Sequence, residues 1–266
     1  MTSGDSPPDG PRVLGSGLWA GGGACRFDCV YCFASDPTYQ PGPSLYEEDF
    51  GVDARGGVIQ LSYDTELFHN PGPALRALST LSTRGSDITF ATKMNLPESI
   101  LTRLRELGED MRTRGNVLSV MVSMPLWSSS ERLEHAVAPV HLRVALVGRL
   151  RAAGLHPFVG IRPILPEPFL TDSDIGRIID ATVADSHGYI LGPYWFRTDR
   201  LGLAELDVSL RRAPVPWLDD RPEWWLYEDK AREDAIRERI TAAGGRCYAR
   251  SADVVTAIRK SLAAPG

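Results

Sequence analysis

The feature that most constrains this chain is an alternation of short β-like runs with helical stripes along most of its length. Val58–Tyr63 (VIQLSY), Asp87–Thr92 (DITFAT), Val117–Met124 (VLSVMVSM), Pro157–Ile164 (PFVGIRPI) and Gly188–Gly192 (GYILG) read as strands, and Arg246–Arg250 (RCYAR) as a weaker one. An apolar stretch over Val13–Ala20 precedes them. Between the strands, Pro97 suits the first position of a helix, and Ile100, Leu101, Leu104, Leu107 and Met111 follow at helical spacing. Leu142, Leu146 and Leu150 form a second stripe ended by Gly154. Asp172 and Ser173 are cap candidates for a third helix whose buried face is Ile175, Ile178, Ile179 and Val183. Glu228–Ala243 is a fourth, and Ser251 opens a last helix running to about Leu262.

Strands alternating with helices of this length imply an α/β fold with a parallel sheet and helical crossovers. Six or seven such units fit a partial or complete (β/α) barrel, in which chemistry gathers at the C-terminal ends of the strands. The organisation expected is a disordered N-terminal segment over 1–12, a barrel core over 13–192, and a C-terminal extension over 193–266 that completes or covers the barrel. That extension carries the aromatic run Pro214–Tyr227 (PVPWLDDRPEWWLY), read as a loop packed on the barrel wall.

The first dozen residues lack the regions of a signal peptide, and no apolar run approaches the roughly 20 residues that span a bilayer. A cytoplasmic location without a membrane is the expectation, and thiols there stay reduced. The net charge of -5 weighs against a nucleic-acid partner, because a chain that grips a phosphate backbone usually carries a basic footprint.

Three of the four cysteines fall within the segment Gly23–Ala34 (GACRFDCVYCFA), as Cys25, Cys29 and Cys32. Clustered cysteines in a reducing compartment point to metal or catalysis rather than to disulfides. Thiolates are soft ligands for iron–sulfur clusters, zinc or copper(I). Three of them on a [4Fe-4S] cluster leave one iron without a protein donor, which is an exchangeable site. The rival is a zinc or ferredoxin-like site completed by Cys247, which makes a non-catalytic metal-binding protein a third reading.

The spacing C-x3-C-x2-C, with aromatic Tyr31 before the third cysteine, resembles the signature of the radical S-adenosylmethionine (SAM) superfamily. From about Gly23 to Pro166 the chain resembles more narrowly the branch that includes spore photoproduct lyase and DNA repair photolyase-like proteins. That resemblance rests on the cysteine segment, Ser62–Phe68 (SYDTELF), Ala91–Lys93 (ATK), Val122–Met124 (VSM), Arg143, Ala152–Gly154 (AAG) and Arg162–Pro166 (RPILP). It implies a [4Fe-4S] cluster on the three cysteines and SAM on the open iron. It implies SAM carboxylate contacts from Lys93 and Ser123, ammonium contacts from Ser62 and Asp64, and an adenine edge near Tyr31, with Arg162 a further SAM or substrate contact. Many members carry a Gly-Gly-Glu segment where this chain reads Ser62-Tyr63-Asp64-Thr65-Glu66. The bland roles remain open beside these: a solvated Lys93, a turn-satisfying Ser123, a helix-capping Asp64.

Cys247 reads either as a small buried residue or as a thiol that donates hydrogen to a substrate radical. His69 and His187, near strand ends, are candidates for proton transfer. The substrate expected is a small-molecule or nucleoside-like metabolite, and a reducing partner such as flavodoxin or ferredoxin is implied. The alternative is a DNA-lesion lyase, with Arg149/Arg151, Arg197/Arg200 and Arg211/Arg212 as phosphate contacts.

Overall fold

The computed structural model describes residues 12–13, 25–36, 39, 57–62, 65–216 and 222–263. The strand–helix alternation is realised as β1 (Arg12–Val13), β2 (Val58–Leu61), α1 (Pro71–Ser82), β3 (Asp87–Thr92), α2 (Glu98–Thr113), β4 (Leu118–Ser123), a one-turn α3 (Ser130–Leu133), α4 (Val140–Ala152), β5 (His156–Ile161), α5 (Asp172–Thr182) and β6 (Tyr189–Leu191). There follow β7 (Tyr194–Phe196), β8 (Leu210–Pro214), β9 (Glu223–Tyr227), α6 (Lys230–Ala242), β10 (Cys247–Tyr248) and α7 (Ser251–Ala263).

Seven strands form one sheet in the order β1-β2-β3-β4-β5-β6-β10, every pairing parallel. The strands follow chain order, so each crossover lands on the next position and the sheet curls into a half-barrel with β1 and β10 at its edges among the described residues. Of the stretch Val13–Ala20 only its first residue lies within the described residues.

The pleat sends alternate residues to opposite faces. On the convex face Ile59, Leu61, Ile88, Phe90, Val120, Val122 and Ile161 join one core with the helix residues Leu78, Leu104, Leu146, Ile178 and Ile240. On the concave face the two ends differ. Toward the N-terminal ends of the strands, Phe158 and Ile190 pack with Val254, Val255 and Ile258 of α7. The C-terminal helix thus fills the lower half of the concavity, and among the described residues the upper half stays open. No helix among the described residues is long and apolar enough to cross a membrane.

Local sequence explains most helix ends. α5 begins one residue earlier than Asp172 and Ser173 suggest, because Thr171 forms a capping box with Asp174. Asp229 caps α6 by accepting from Arg232 N at 2.9 Å. The α4 stripe is rotated from the leucine pattern: Arg143 and Val147 join Leu146 and Leu150 among its buried residues, while Leu142 is only half-buried.

The aromatic run is not a loop. Its second half is β9, the central strand of a three-stranded antiparallel sheet ordered β7-β9-β8. The run Glu223-Trp224-Trp225-Leu226 alternates exposed and buried, which is strand behaviour that an aromatic cluster does not announce. Trp224 turns inward, its ring 6.0 Å from that of Phe33 in the cysteine segment, and Trp225 faces out under the Arg212 guanidinium. Trp217 lies outside the described residues.

Candidate functional site

The open upper half of the concavity is one cavity at the C-terminal ends of β2 to β5. Its wall brings together Cys25, Cys29, Tyr31, Cys32, Ser62, Lys93, Ser123 and Arg162. Eight positions chosen from sequence thus meet in one place. Asp64 lies outside the described residues. Cys247 does not line the cavity. It pairs with Tyr189, the first residue of β6, in the lower half of the sheet, and burial pushes its thiol up to about 11. His187 is also at that lower end. His69 packs edge-on against Phe27, ring centres 4.7 Å apart, beside the cysteine segment but off the cavity wall.

The cysteine segment turns tightly through Cys29 and Cys32, with Cys32 N donating to Cys29 O at 2.9 Å. Burial raises the Cys25 thiol and raises Cys32 to about 11, and each of the other two cysteines' charges adds to the Cys32 shift. Thiols such as Cys25 and Cys32, raised by burial, suit a metal, which would supply the charge that deprotonates them. Among the described residues no three His, Cys, Asp or Glu side chains are grouped to hold a single metal ion. Thiolates on a cubane would each take a different iron, so three cysteines on a common cavity wall suit such a cluster better than a single ion.

Lys93 follows β3 directly. Its ammonium donates to Glu134 Oε1 at 2.9 Å, to the Tyr31 hydroxyl, and toward Cys29 Sγ at 3.6 Å. Burial works against the Lys93 charge, but Glu134 and Cys29 outweigh it and the Lys93 pKa is raised. Arg143, wholly buried, donates to Glu134 Oε2 at 2.5 Å, to Ser130 Oγ at 2.8 Å and to the Ser123 carbonyl at 2.8 Å. Tyr31 and Ser130 donate to Glu134 as well. Burial alone would push the Glu134 carboxyl up; Lys93 and Arg143 more than offset it and hold it at about 2.

Glu134 and Glu66 are the residues that the sequence reading does not single out. Glu66 also lines the cavity, accepting from Lys93 N at 2.9 Å, Thr92 Oγ1 at 2.9 Å and Phe68 N at 3.2 Å. Burial pushes its carboxyl up to about 7 against those hydrogen bonds. Glu66 stands in the segment compared with Gly-Gly-Glu, so a signal was present. Glu134 had none, because it follows a one-turn helix in a stretch with no motif.

Two cavity hydroxyls, Ser62 Oγ and Thr65 Oγ1, are buried without a hydrogen-bond partner among the described residues, and Ser62 holds a left-handed backbone at φ 60°. Strained backbone and unsatisfied buried polar atoms cluster where ligands bind. Opposite them, Arg162 lies across Gly192. A Cβ there would stand 3.2 Å from Arg162 Nε, so the glycine makes room for the guanidinium.

No protein-family model matches the chain, and no curated protein matches it. Among solved structures, a cysteine-to-serine variant of spore photoproduct lyase superposes with a TM-score of 0.64 at 14% identity, covering 94% of this chain and 78% of that one. A double variant of that enzyme with bound AdoMet and dinucleoside spore photoproduct gives a TM-score of 0.65 at 14% identity, covering 90% of this chain and 76% of that one. The enzyme complexed with dinucleoside spore photoproduct gives 0.60 at 14% identity, covering 85% and 73%. The half-barrel of this chain is the fold of spore photoproduct lyase, a radical SAM enzyme.

Proposed function

We propose that this protein is a radical SAM enzyme acting on a small-molecule or nucleoside-like substrate. The observation that carries the proposal is the convergence of Cys25, Cys29 and Cys32 with Lys93 on one cavity, at the strand ends of a half-barrel of this fold. The three thiols suit a [4Fe-4S] cluster because they are soft donors in a common wall. Bound there, the cluster would supply an open iron for SAM and the electron for its reductive cleavage, the source of a 5′-deoxyadenosyl radical that would take hydrogen from the substrate.

The chain's own groups do the holding. The Ser62 and Thr65 hydroxyls, which have no partner among the described residues, and the Glu66 carboxylate suit the SAM ammonium, which would also favour the ionised form of Glu66. Ser123, Lys93 and Arg162 suit carboxylate oxygens. Phe33, Tyr194 and Trp195 wall the mouth and exclude water from a reactive intermediate. The reducing electron would come from a flavodoxin- or ferredoxin-like partner.

The DNA-lesion reading is weaker. Of the arginines that the sequence offers for phosphates, Arg149 pairs with Glu98 at 3.1 Å, Arg200 with Asp28 at 3.2 Å and Arg211 with Glu228 at 3.1 Å. Arg151 donates to His187 at 2.8 Å.

The test is anaerobic reconstitution with iron and sulfide, then SAM and dithionite, with 5′-deoxyadenosine measured by mass spectrometry. Wild type should form it, and Cys29→Ala should not. A wild type that holds one zinc and leaves SAM intact would overturn the proposal in favour of a structural metal.

A further inference from the structure

The groups around Glu134 are more elaborate than a buried carboxylate needs for its own neutrality. One arginine with bidentate geometry would suffice, yet Glu134 collects Arg143, Ser130, Tyr31 and Lys93, three of them side chains nearly or fully shut from water. The same short segment is tied to the cysteine loop through its backbone, where Val30 N donates to Leu133 O at 2.9 Å. Arg143 in turn pins the end of β4 through the Ser123 carbonyl. Glu134 therefore sits where the cysteine loop, the β3 end and the β4 end meet.

Residue type sharpens the point. The chain has 29 lysines and arginines, of which only Lys93, Lys230 and Lys260 are lysines. Lys230 and Lys260 are exposed, so the cavity wall is the one largely buried place where this chain uses lysine. A lysine ammonium is a compact charge with three tetrahedral donors, whereas an arginine fork is planar. Three acceptors surround Lys93 Nζ: Glu134 Oε1, the Tyr31 hydroxyl and Cys29 Sγ.

We propose that Glu134 is a positioning residue: backed by Arg143, it locks the Lys93 ammonium at the cavity wall beside the Cys29 sulfur, so that the charge is already in place when an anionic ligand group arrives. A four-carbon side chain otherwise loses much rotamer freedom on binding, and a preset ammonium avoids that cost. Lys93 and Arg143 carry two positive charges against one on Glu134, so the array presents a net +1 to the thiolates without an unpaired buried ion. The role in ligand binding rests on the reading of the cavity as a cluster and SAM site; the locking of Lys93 does not.

The experiment has two arms. In the first, protein labelled with 15N-lysine and free of metal is studied by NMR. One ammonium, absent from Lys93→Met, should be protected from solvent exchange, and in Glu134→Gln its exchange should be about tenfold faster or the signal lost. In the second, SAM affinity of the reconstituted protein is measured in a double-mutant cycle. Glu134→Gln should weaken SAM about tenfold in wild type and not at all in Lys93→Met, because the residue acts through Lys93. Glu134→Asp, which keeps the charge on a shorter arm, should fall between and carries both arms if Glu134→Gln does not fold. An ammonium equally protected without Glu134, or losses that add in the cycle, overturns the proposal. A wild type that assembles no cluster sinks the radical SAM reading alone, since the exchange arm still decides whether Glu134 locks Lys93.

Discussion

The half-barrel holds a buried carboxylate paired with an arginine at each end, and the two behave in opposite ways. At the upper end Glu134 and Arg143 are both fully buried, with side-chain exposures of 0%. At the lower end Asp87, the first residue of β3, meets Arg259 of α7, with side-chain exposures of 1% and 41%. Burial raises both carboxyls. Glu134 has two cations that overcome it, and its pKa falls to about 2. Asp87 has the Val117 N–H at 2.8 Å and one arginine that is half in water, and its pKa stays raised. A desolvated second cation thus separates a permanently ionised array from a staple that fastens the C-terminal helix to the sheet. The charged end faces the cavity, and the stapled end faces an apolar floor.

Breaking each pair tests the contrast, and the largest effect belongs to the upper one. Arg143→Met leaves the Glu134 charge buried with Lys93 alone and should cost about 3–5 kcal/mol of stability in urea unfolding of the metal-free protein. Arg259→Met removes a half-exposed partner and should cost about 1 kcal/mol or less. Equal losses would mean that desolvation of the arginine does not distinguish the two ends.

A smaller effect probes the lower edge, where β10 joins β6. A Cβ on Gly188 would stand 2.8 Å from the Arg246 carbonyl and 2.5 Å from the Tyr248 ring. The carbonyl is backbone and cannot rotate away. Gly188→Ala should therefore cost about 1–3 kcal/mol and lower the melting temperature, while the proposed 5′-deoxyadenosine formation, per folded molecule, should not change because the cavity is at the other end.

The legible parts of this chain were those whose signal is local. Asp87–Thr92 reads as a strand and is one, residue for residue, because its pattern needs no tertiary context. The cysteines, Lys93, Ser123 and Arg162 could be chosen because each stands in a motif or at a strand end, and a parallel half-barrel sends all strand ends to one side. Arg143 stands among the residues that carry the resemblance, but its burial is the opposite case. It occupies a helical stripe whose leucines advertise an apolar face, and only the tertiary position of Glu134 explains an arginine there. Glu134 itself is defined by residues 103, 41 and 9 positions away in sequence. No window of periodicity contains such a group. Trp224 and Trp225 were visible as aromatics, but the partner strands β7 and β8 that turn them into a sheet are irregular and short.

Acid should act on the two ends at different pH. At the lower end His156, the first residue of β5, and His187, just before β6, stand with His156 Nδ1 3.2 Å from His187 Nε2. Arg151 donates to that same His187 nitrogen at 2.8 Å, which requires it unprotonated. Burial, then the neighbouring positive charges of Arg151 and, for His156, of His187 and Arg112, lower both histidines from 6.5 to about 4. Between those values the unfolded chain binds protons that the folded chain refuses, so stability falls as pH falls from about 6.5 to about 4. Glu134 is depressed from 4.5 to about 2, so its contribution is intact above about 4.5 and is lost as pH falls from there toward about 2. Glu66, raised to about 7, works the other way in that window, so the test is a difference: the wild-type urea midpoint should fall relative to that of His156→Gln/His187→Gln as pH falls from 6.5 to about 4. If the two proteins follow parallel pH curves, the histidines are not the acid-sensitive groups of the lower end.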